Sequence, residues 1–411
     1  MVREMKDSGI EWIGEIPKEW RIGKYKYFSE SRMGETILAE EVTTEGIPIY
    51  SATLDDTIFG YIKTPKLILN KNDFVIPARG NSIGSVTIVK DEQATCTQTT
   101  ICSRNIKNIN IKYLYFCCVG LKEMWFKYEG SAIPQITVSQ IKNNILPIPN
   151  LQEQEKIANY LDKKVADIDL IIEKTKDTIE DYKKYKQSLI TEVVTKGLDP
   201  NVEARETDNI HIKFIPKLWE FKKIKYLFTI KKEIAGKKGF DVLSITQKGI
   251  KIKDITTNEG QMAMDYSKYQ FLNKGDFAMN HMDLLTGWVD ISKYDGVTSP
   301  DYRVFILNDE LNNSKAYYLY LMQMCYSNKI FYGLGQGVSN LGRWRLQADK
   351  FLNFSVPVPP LKEQQQIADY LDKKVSEIDN LISKKESLIS EMEEYKKSLI
   401  YECVTGKKEV I

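Results

Sequence analysis

Two long stretches of the chain carry apolar residues at the alternating spacing of four and three that is typical of a coiled-coil helix. They begin at Leu151 and at Leu361, and each follows a proline-containing segment, which permits a helix start but not a helix interior. Each stretch predicts a helix of about 45 residues and about 67 Å, whose apolar stripe needs a partner. The stripes comprise Ile168, Ile172, Ile179, Tyr182, Leu189 and Val193, then Ile378, Ile382, Ile389, Met392, Leu399 and Cys403, with interruptions at Thr175, Lys186, Lys385 and Lys396.

The two stretches are copies of each other. LQEQEKIANYLDKKVADID begins at Leu151 and LKEQQQIADYLDKKVSEID begins at Leu361, and the register between the copies stays constant without a gap. The openings of the two halves also match, with IPKEW at Ile16 and IPKLW at Ile215. A repeat of this length divides the chain into two similar halves and is unlike the short period of a solenoid. We predict a variable domain over 1–150, a helical region over 151–196, a second variable domain over 197–355 and a second helical region over 356–411.

The variable domains differ from each other in sequence and predict a mixture of helices and strands. Short β-branched runs bounded by Gly, Asn and Asp predict strands beginning at Ile47, Asp73 and Ser85 in the first domain and at Asp241, Gly275 and Tyr302 in the second. Segments 111–128 and 314–332 predict helices whose aromatic residues belong to the core. The predicted fold class is therefore α/β (α+β), with two such domains separated by two long helices.

The connection between the halves predicts how the two helices pair. The link from 197 to 211 is short and polar, so the second variable domain joins the end of the first helix to the start of the second. Antiparallel pairing satisfies this connection without a long return loop. We therefore expect an antiparallel coiled coil with one variable domain at each end, which is a dumb-bell with an approximate two-fold axis.

Composition sets few limits on function. There are 58 basic and 56 acidic side chains, so the net charge of +2 is weak support for a nucleic-acid partner, although a local basic face remains compatible with it. The six cysteines form no CxxC pair, and with two histidines they give no zinc spacing. We interpret them as reduced cysteines of a cytoplasmic protein. The start of the chain has no apolar signal region, and an apolar run of about 18 residues is missing, so we expect no membrane span.

Motifs for catalysis are missing from the sequence. There is no GxGxxG after a strand, no GxxxxGK[ST] phosphate loop and no Asn-Pro-Pro-aromatic motif of amino-methyltransferases. Ser299-Pro300-Asp301 superficially resembles the Pro-Asp of some nucleases, but no Glu-x-Lys follows at a useful distance. His281 is favoured as a residue that makes a structural or base-edge hydrogen bond over a general base. No nucleophile, base and orienting group come together in the sequence, so we expect no catalytic residue and no metal ligand.

Polar loops flanked by glycine follow apolar strands at similar places in both variable domains. Arg, Asn, Gln, Ser and Thr side chains can read base edges in a major groove, and glycine lets the backbone approach phosphates. Each loop taken alone is equally typical of an ordinary surface turn, but their corresponding placement in two divergent halves favours DNA binding. The candidates in the first domain are Ser51, Arg79, Asn81, Ser82, Gln98, Thr99, Thr100, Ser131 and Gln135, and those in the second are Thr246, Gln247, Asn280, His281, Asp283, Arg303, Gln336, Ser339, Asn340, Arg343 and Arg345.

The whole chain resembles the specificity subunit of type I restriction–modification systems. The resemblance depends on the two-fold plan, the IPxxW openings and the repeated helix start, which reads LPIPNLQEQEKIANYL at Leu146 and VPVPPLKEQQQIADYL at Val356. The segment GVTSPDYRVF at Gly296 is also similar to one seen in many members. The first half has the looser TCTQTT at Thr95 in its place.

The resemblance implies a function for each region. Each variable domain would be a target-recognition domain that reads one half of a bipartite, asymmetric double-stranded DNA target, and the helices would set the unread spacer. The helices would also dock two methyltransferase subunits, and restriction or translocase subunits could join them. S-adenosylmethionine, ATP and magnesium would belong to these partners, with no cofactor bound by this chain. The candidate partner contacts lie at the helix starts and are Glu153, Gln154, Glu363 and Gln364.

Two alternatives remain open at the level of sequence. One is the specificity subunit of a related system in which methyltransferase and nuclease share one partner chain. The other is a coiled-coil scaffold that pairs two protein-binding domains, which would explain the helices but not the polar loops. Salt-dependent, sequence-selective DNA binding separates the scaffold from both DNA-reading alternatives.

Overall fold

The computed structural model describes residues 3–53, 57–105, 108–126, 135–254, 266–337 and 344–410. The chain forms two compact units, one from Met1–Lys176 with Glu386–Ile411 and the other from Asp177–Lys385. Each unit therefore contains one variable domain and parts of both long helices.

The first unit contains twelve of the described strands and the helices α1 to α3. Strand β5 pairs in parallel with β10, whereas β11 pairs antiparallel with both β4 and β8. The two four-stranded sheets have the orders β6-β5-β10-β7 and β4-β11-β8-β9. The elements are β1 Met5–Asp7, β2 Glu15–Pro17, β3 Arg21–Lys24, β4 Ser29–Met33, β5 Ile47–Tyr50, β6 Gly60–Ile62, β7 Leu69–Asn70, β8 Phe74–Pro77, β9 Thr87–Ile88, β10 Gln93–Cys96, β11 Thr100–Asn105, α1 Ile111–Gly120, α2 Lys122–Trp125, α3 Val138–Asn143 and β12 Ile145–Ile148.

The second unit repeats this plan. Strand β17 pairs in parallel with β22, and β23 pairs antiparallel with β16 and β20. The sheet orders are β18-β17-β22-β19 and β16-β23-β20-β21, which match those of the first unit strand for strand at the parallel pair and at the central antiparallel strand. The elements are β13 Ala204–Glu206, β14 Phe214–Pro216, β15 Glu220–Lys223, α5 Ile224–Leu227, β16 Phe228–Lys231, β17 Val242–Thr246, β18 Gly249–Ile252, β19 Gln270–Leu272, β20 Phe277–Met279, β21 Val289–Ile291, β22 Gly296–Thr298, β23 Arg303–Leu307, α6 Lys315–Ser327, α7 Ile330–Gly333, β24 Gln336–Gly337, β25 Trp344–Arg345, α8 Ala348–Asn353 and β26 Ser355–Val358.

The two long helices are continuous. Helix α4 spans Leu151–Lys196 and α9 spans Leu361–Val404. The predicted second helical region from 356 begins inside β26, because Ser355–Val358 pairs with β15 and the helix starts only after the prolines. None of the described helices has the length and apolar character required to cross a bilayer. The predicted fold class, two mixed α and β domains with two long helices, is confirmed.

Antiparallel pairing of the helices is visible inside each unit. In the first unit Lys396 Nζ lies 2.6 Å from Asp169 Oδ1, and in the second Lys186 Nζ lies 2.5 Å from Asp379 Oδ1. These are the same residues at corresponding repeat positions, so one contact is made twice. Two of the three lysines that interrupt the apolar stripes, Lys186 and Lys396, therefore reach an aspartate on the facing helix. Most of the predicted stripe is buried: Ile168, Ile172, Ile179, Val193, Ile378, Ile382, Leu399 and Cys403.

Reversing the charge at Asp379 tests whether this contact supports the helix pairing. We expect Asp379→Lys to lower the free energy of unfolding by about 1 kcal/mol, because the pair is part-exposed and two lysines would then face each other. Adding Lys186→Asp restores the attraction and should recover most of the loss, which urea unfolding measures. Glu180→Lys, in an exposed pair within one helix turn, is the matched control. Equal losses at both sites would contradict a role for the contact between helices.

Candidate DNA interface

In the first unit, three of the predicted polar loops converge at one end of the sheets. Ser51 Oγ lies 3.0 Å from Thr97 Oγ1, which lies 2.8 Å from Thr99 Oγ1. The Thr99 carbonyl accepts from Ala78 N–H, and the next residue, Arg79, forms an antiparallel bridge with Gln135. Residues far apart in sequence thus form one hydrogen-bonded polar face. Its exposed predicted members are Arg79, Asn81, Gln98 and Gln135.

Two predicted residues of this domain lie in the interior. Thr100 is fully buried and donates to the Thr97 carbonyl at 2.7 Å, because it begins the central strand β11. Ser82 is 2% exposed. The structure corrects both assignments: neither side chain is placed to contact a base. Ser131 lies outside the described residues.

Thr97 lies in the predicted loop that contains Gln98 and Thr99, but it is not among the predicted DNA contacts. It is only 7% exposed, and its hydroxyl contacts both Ser51 and Thr99. It therefore orients its two neighbours. Its place between the apolar end of β10 and a polar turn is a signal in the sequence, but one that many threonines share.

In the second unit, the loops after β17 and β20 lie together. Gln247 Nε2 donates to the Thr286 carbonyl at 3.2 Å. Asn280 Oδ1 accepts from the backbone N–H of Met282 and of Asp283, and Asp283 Oδ1 accepts from the N–H of Leu285 and of Thr286. Thr246 is part-buried and donates to the Gly249 carbonyl. The polar side chains of this loop thus shape its backbone as well as its surface.

A concave cleft of about 420 Å³ lies beside this loop. Two of the predicted DNA contacts, Asn280 and Asp283, line this cleft. Ser244, Ser299 and Tyr302 also line it, and they were missed as site residues. The Ser299-Pro300-Asp301-Tyr302 segment was recognisable in the sequence as a motif, but its nearness to Asn280 depends on the pairing of β20 with β23.

The structure corrects the assignment of His281 and Arg303 as residues that read base edges, because it buries both side chains. They are 5% and 6% exposed. Burial, with the charges of Arg303 and Arg345, lowers the pKa of His281 to about 3, so its imidazole is neutral at physiological pH. Arg303 Nη2 donates to the Leu346 carbonyl at 2.8 Å. Neither presents an open side chain to a groove of DNA.

Two further candidates of the second domain, Gln336 and Arg345, belong to a small hairpin. Gln336 in β24 pairs with Arg345 in β25, and both are exposed. Gln347 Nε2 donates to Gln336 Oε1 at 2.6 Å. Ser339, Asn340 and Arg343 lie outside the described residues. The two exposed residues thus remain candidates for DNA contact.

Two of the four candidate partner contacts at the helix starts, Gln154 and Gln364, make their hydrogen bonds inside the protein. Gln154 is 1% exposed; its Oε1 accepts from Asn110 N–H at 2.8 Å, and its Nε2 donates to the Pro149 carbonyl at 2.9 Å. Gln364 is also 1% exposed and makes the same two bonds, with Ser314 N–H and the Pro359 carbonyl. The structure corrects the assignment of these two glutamines as partner contacts, because all of their polar groups face inward.

The two glutamates explain the repeated tryptophans. Trp20 Nε1–H donates to Glu153 Oε2 at 3.0 Å, and Trp219 Nε1–H donates to Glu363 Oε2 at 2.9 Å. Each IPxxW opening is thereby held against the start of a long helix. The repeated Trp and Glu-Gln residues thus join each variable domain to the helices.

The two polar surfaces occupy corresponding places in the two units. Ile136 N–H donates to the Ala78 carbonyl in the first unit, and Leu346 N–H donates to the His281 carbonyl in the second. The same hydrogen bond between backbone groups is therefore made in both units, although the side chains at these positions differ. The molecule therefore presents two versions of one surface, built on one fold with different polar groups.

Comparisons with known proteins agree with this plan. The family model described as type I restriction modification DNA specificity domain matches twice, over residues 17–181 and 216–390. The chain therefore belongs to the type I restriction–modification DNA specificity family, and it has two recognition domains. This supports the DNA-specificity interpretation and not the scaffold interpretation.

Individual relatives cover nearly the whole chain. The chain is 26% identical over 394 residues to the type I restriction enzyme MjaVIII specificity subunit of Methanocaldococcus jannaschii, covering 89% of this chain and 87% of that one. A chain from a structural study of complex assembly and conformational transition of the type I R-M system has a TM-score of 0.71 at 13% identity, covering 96% and 99%. The HsdS subunit from Thermoanaerobacter tengcongensis has a TM-score of 0.51 at 13% identity, covering 96% and 98%. The two solved chains show the shared fold.

Proposed function

We propose that this chain is the non-catalytic DNA-reading subunit of a type I restriction–modification complex, and that its two domains read the two halves of a bipartite, asymmetric target. The observation that carries this proposal is the contrast between shared backbone and different side chains at corresponding loops. Ala78 and Arg79 in the first domain correspond to His281 and Met282 in the second. Two readers with one fold and different polar groups suit two different half-sites.

The long helices are proposed to set the spacer between the half-sites. Helix α4 has 46 residues and α9 has 44, and each contributes to both units. A continuous helix rises about 1.5 Å per residue, so its length is a fixed physical distance. Two half-sites read through such helices need a spacer of matching length.

The helices also offer a surface for partner subunits. Tyr185 is 56% exposed in the second unit, and Tyr395 at the corresponding repeat position is 50% exposed in the first. Leu170 and Leu381 are exposed aliphatic residues of the same helices. Exposed apolar residues rimmed by charge are typical of protein interfaces. Because the aromatic residue is repeated, the proposal is that two copies of one methyltransferase subunit dock here, with restriction or translocase subunits as further partners.

We propose that the partner subunits, and not this chain, carry out the catalytic reactions. The family describes DNA specificity, and the sequence has no motif for S-adenosylmethionine or for ATP. S-adenosylmethionine, ATP and magnesium are therefore assigned to the methyltransferase and translocase subunits. A complex that modifies and defends cellular DNA acts in the cytoplasm, which is the proposed location.

A methylome is the experiment that tests the proposed function. Expressing this chain with its cognate modification subunit, in a host without DNA methylation, is expected to produce a gapped, asymmetric motif methylated at adenine on both strands. Omitting either protein should abolish the motif. Methylation of the same motif without this chain, or none despite a demonstrated complex, would contradict the proposal. Each half-site is then assigned by exchanging one domain at a time with that of a relative.

A further inference from the structure

The second recognition domain contains a small cleft with two arginines. The cleft has a volume of about 290 Å³ and lies beside the β24–β25 hairpin. No Asp or Glu is among the described residues that line it. The lining residues are Arg303, Gln336, Gly337, Arg345, Gln347 and Ala348.

Arg303 is a buried charge whose bonds leave it without a counter-charge. Its Nη2 donates to the Leu346 carbonyl, Nη1 faces Met279 Sδ at 3.9 Å, and the guanidinium lies 5.1 Å from the centre of the Phe351 ring. Within the described ranges, neither Arg303 nor Arg345 has a carboxylate at ion-pair distance. Burial and the nearby charge of Arg345 lower the pKa of Arg303 to about 10, so it stays protonated at neutral pH. Burying a charge without an opposite one costs free energy, so a stable fold retains it only for a reason.

The first domain shows that the fold does not need this charge. Arg303 stands across from Met279 in the β20–β23 pair, and Ile101 stands across from Ile76 in the equivalent β8–β11 pair. Ile101 is fully buried. An apolar residue thus fills the corresponding position in a domain with the same strand order. Arg303 therefore has a role that is specific to the second domain and is not required by the fold.

We propose that Arg303 and Arg345 form a site for one phosphate of the DNA backbone at the second half-site. This inference rests on the proposed function, because it names a contact made by the second reader. A phosphate carries a full negative charge, which two converging cations without a carboxylate complement. A guanine edge carries only partial charge and is matched by one bidentate arginine. Exposed Arg345 reaches the anion from the rim, and Arg303 supplies charge from the floor of the cleft.

The experiment measures the affinity of the full chain, in complex with its cognate modification subunit, for DNA duplexes that carry the motif identified by the methylome. Arg345→Gln removes the exposed charge and keeps an amide, and Lys350→Gln removes an exposed charge from nearby α8 as the matched control. We expect Arg345→Gln to weaken binding about tenfold to a hundredfold. The slope of log affinity against log salt should fall by about 0.9, the value for one phosphate contact. Lys350→Gln should change neither quantity comparably.

Modified duplexes locate the contact and distinguish phosphate from base. Single uncharged methylphosphonates are placed through the second half-site, one per duplex, and 7-deazaguanine replaces each guanine in a parallel series. One methylphosphonate should weaken binding by the wild-type complex, and should weaken binding by the Arg345→Gln complex by a smaller factor, because only the Arg303 charge remains. Coupling to a 7-deazaguanine instead, or no effect of Arg345→Gln beyond that of Lys350→Gln, would overturn the phosphate site. A wild-type complex without sequence-selective binding would instead refute the proposed function itself.

Discussion

Replacing Gln154 with leucine is expected to destabilise the first unit by about 3 kcal/mol, because the change leaves one buried and one part-buried backbone group without a partner. The side chain is 1% exposed and satisfies both Asn110 N–H and the Pro149 carbonyl. Leucine matches the volume but can make neither bond. Urea unfolding, followed by circular dichroism, measures the loss.

The repeat supplies a second test and two controls. Gln364→Leu should cost the second unit a similar amount, because Gln364 makes the corresponding bonds with Ser314 N–H and the Pro359 carbonyl. Gln152→Leu and Gln365→Leu make the same substitution at exposed positions of the same helices, and should change stability by no more than about 0.5 kcal/mol. A loss at the exposed positions as large as that at the buried ones would show that leucine itself, and not the lost bonds, is responsible.

The expected loss of stability is large because each glutamine belongs to a network of buried hydrogen bonds. Tyr113 lies three residues after Asn110 in the chain. Its hydroxyl donates to the Pro147 carbonyl at 2.8 Å and lies 3.3 Å from the Val404 carbonyl. In the second unit Tyr317 makes the same contacts with Pro357 and Val194. Buried polar networks of this kind lose more than one bond when a member is removed. The variable domain and both long helices therefore depend on each other for stability.

Lengthening both long helices by one heptad is expected to lengthen the unread spacer of the DNA target by about three base pairs. Seven residues add about 10 Å of helix, and a base pair of B-DNA rises about 3.4 Å. A whole heptad keeps the apolar stripe in register, so the helices can still pair. The insertions are made at corresponding repeat positions, after Lys176 and after Glu386, and the methylated motif is read from the host genome.

The helical twist of the added base pairs leads to a second expected result. Three base pairs turn the DNA by about 100°, so the lengthened variant should methylate its new motif less efficiently than the wild type methylates its own. Seven residues placed in the exposed turn after Asn201 are the matched control and should leave the spacer unchanged. A heptad in only one helix should abolish methylation, since the facing stripes no longer match. An unchanged spacer after the double insertion would contradict the proposed role of the helices.

Sequence alone determined the plan of the protein. The two helices and their antiparallel pairing were predictable because a heptad stripe is a local, periodic signal, and because the short link between the halves restricts how the stripes can meet. The predicted strands at Ile47, Asp73, Asp241, Gly275 and Tyr302 all contain an observed strand. The predicted strand from Ser85 shortens to Thr87–Ile88, since it pairs only at the edge of its sheet.

Only the tertiary structure decided which polar residues face solvent. Thr100, Gln154 and Arg303 have polar side chains that the sequence favours for binding, yet each is buried, because its exposure depends on strands and helices distant along the chain. Thr100 and Arg303 lie at the start of the central strand of a sheet, with neighbours on both sides. Gln154 is covered by the domain that its own hydrogen bond holds in place. Local pattern fixes the elements, whereas burial and bonding partners arise from packing between segments that no short stretch of sequence contains.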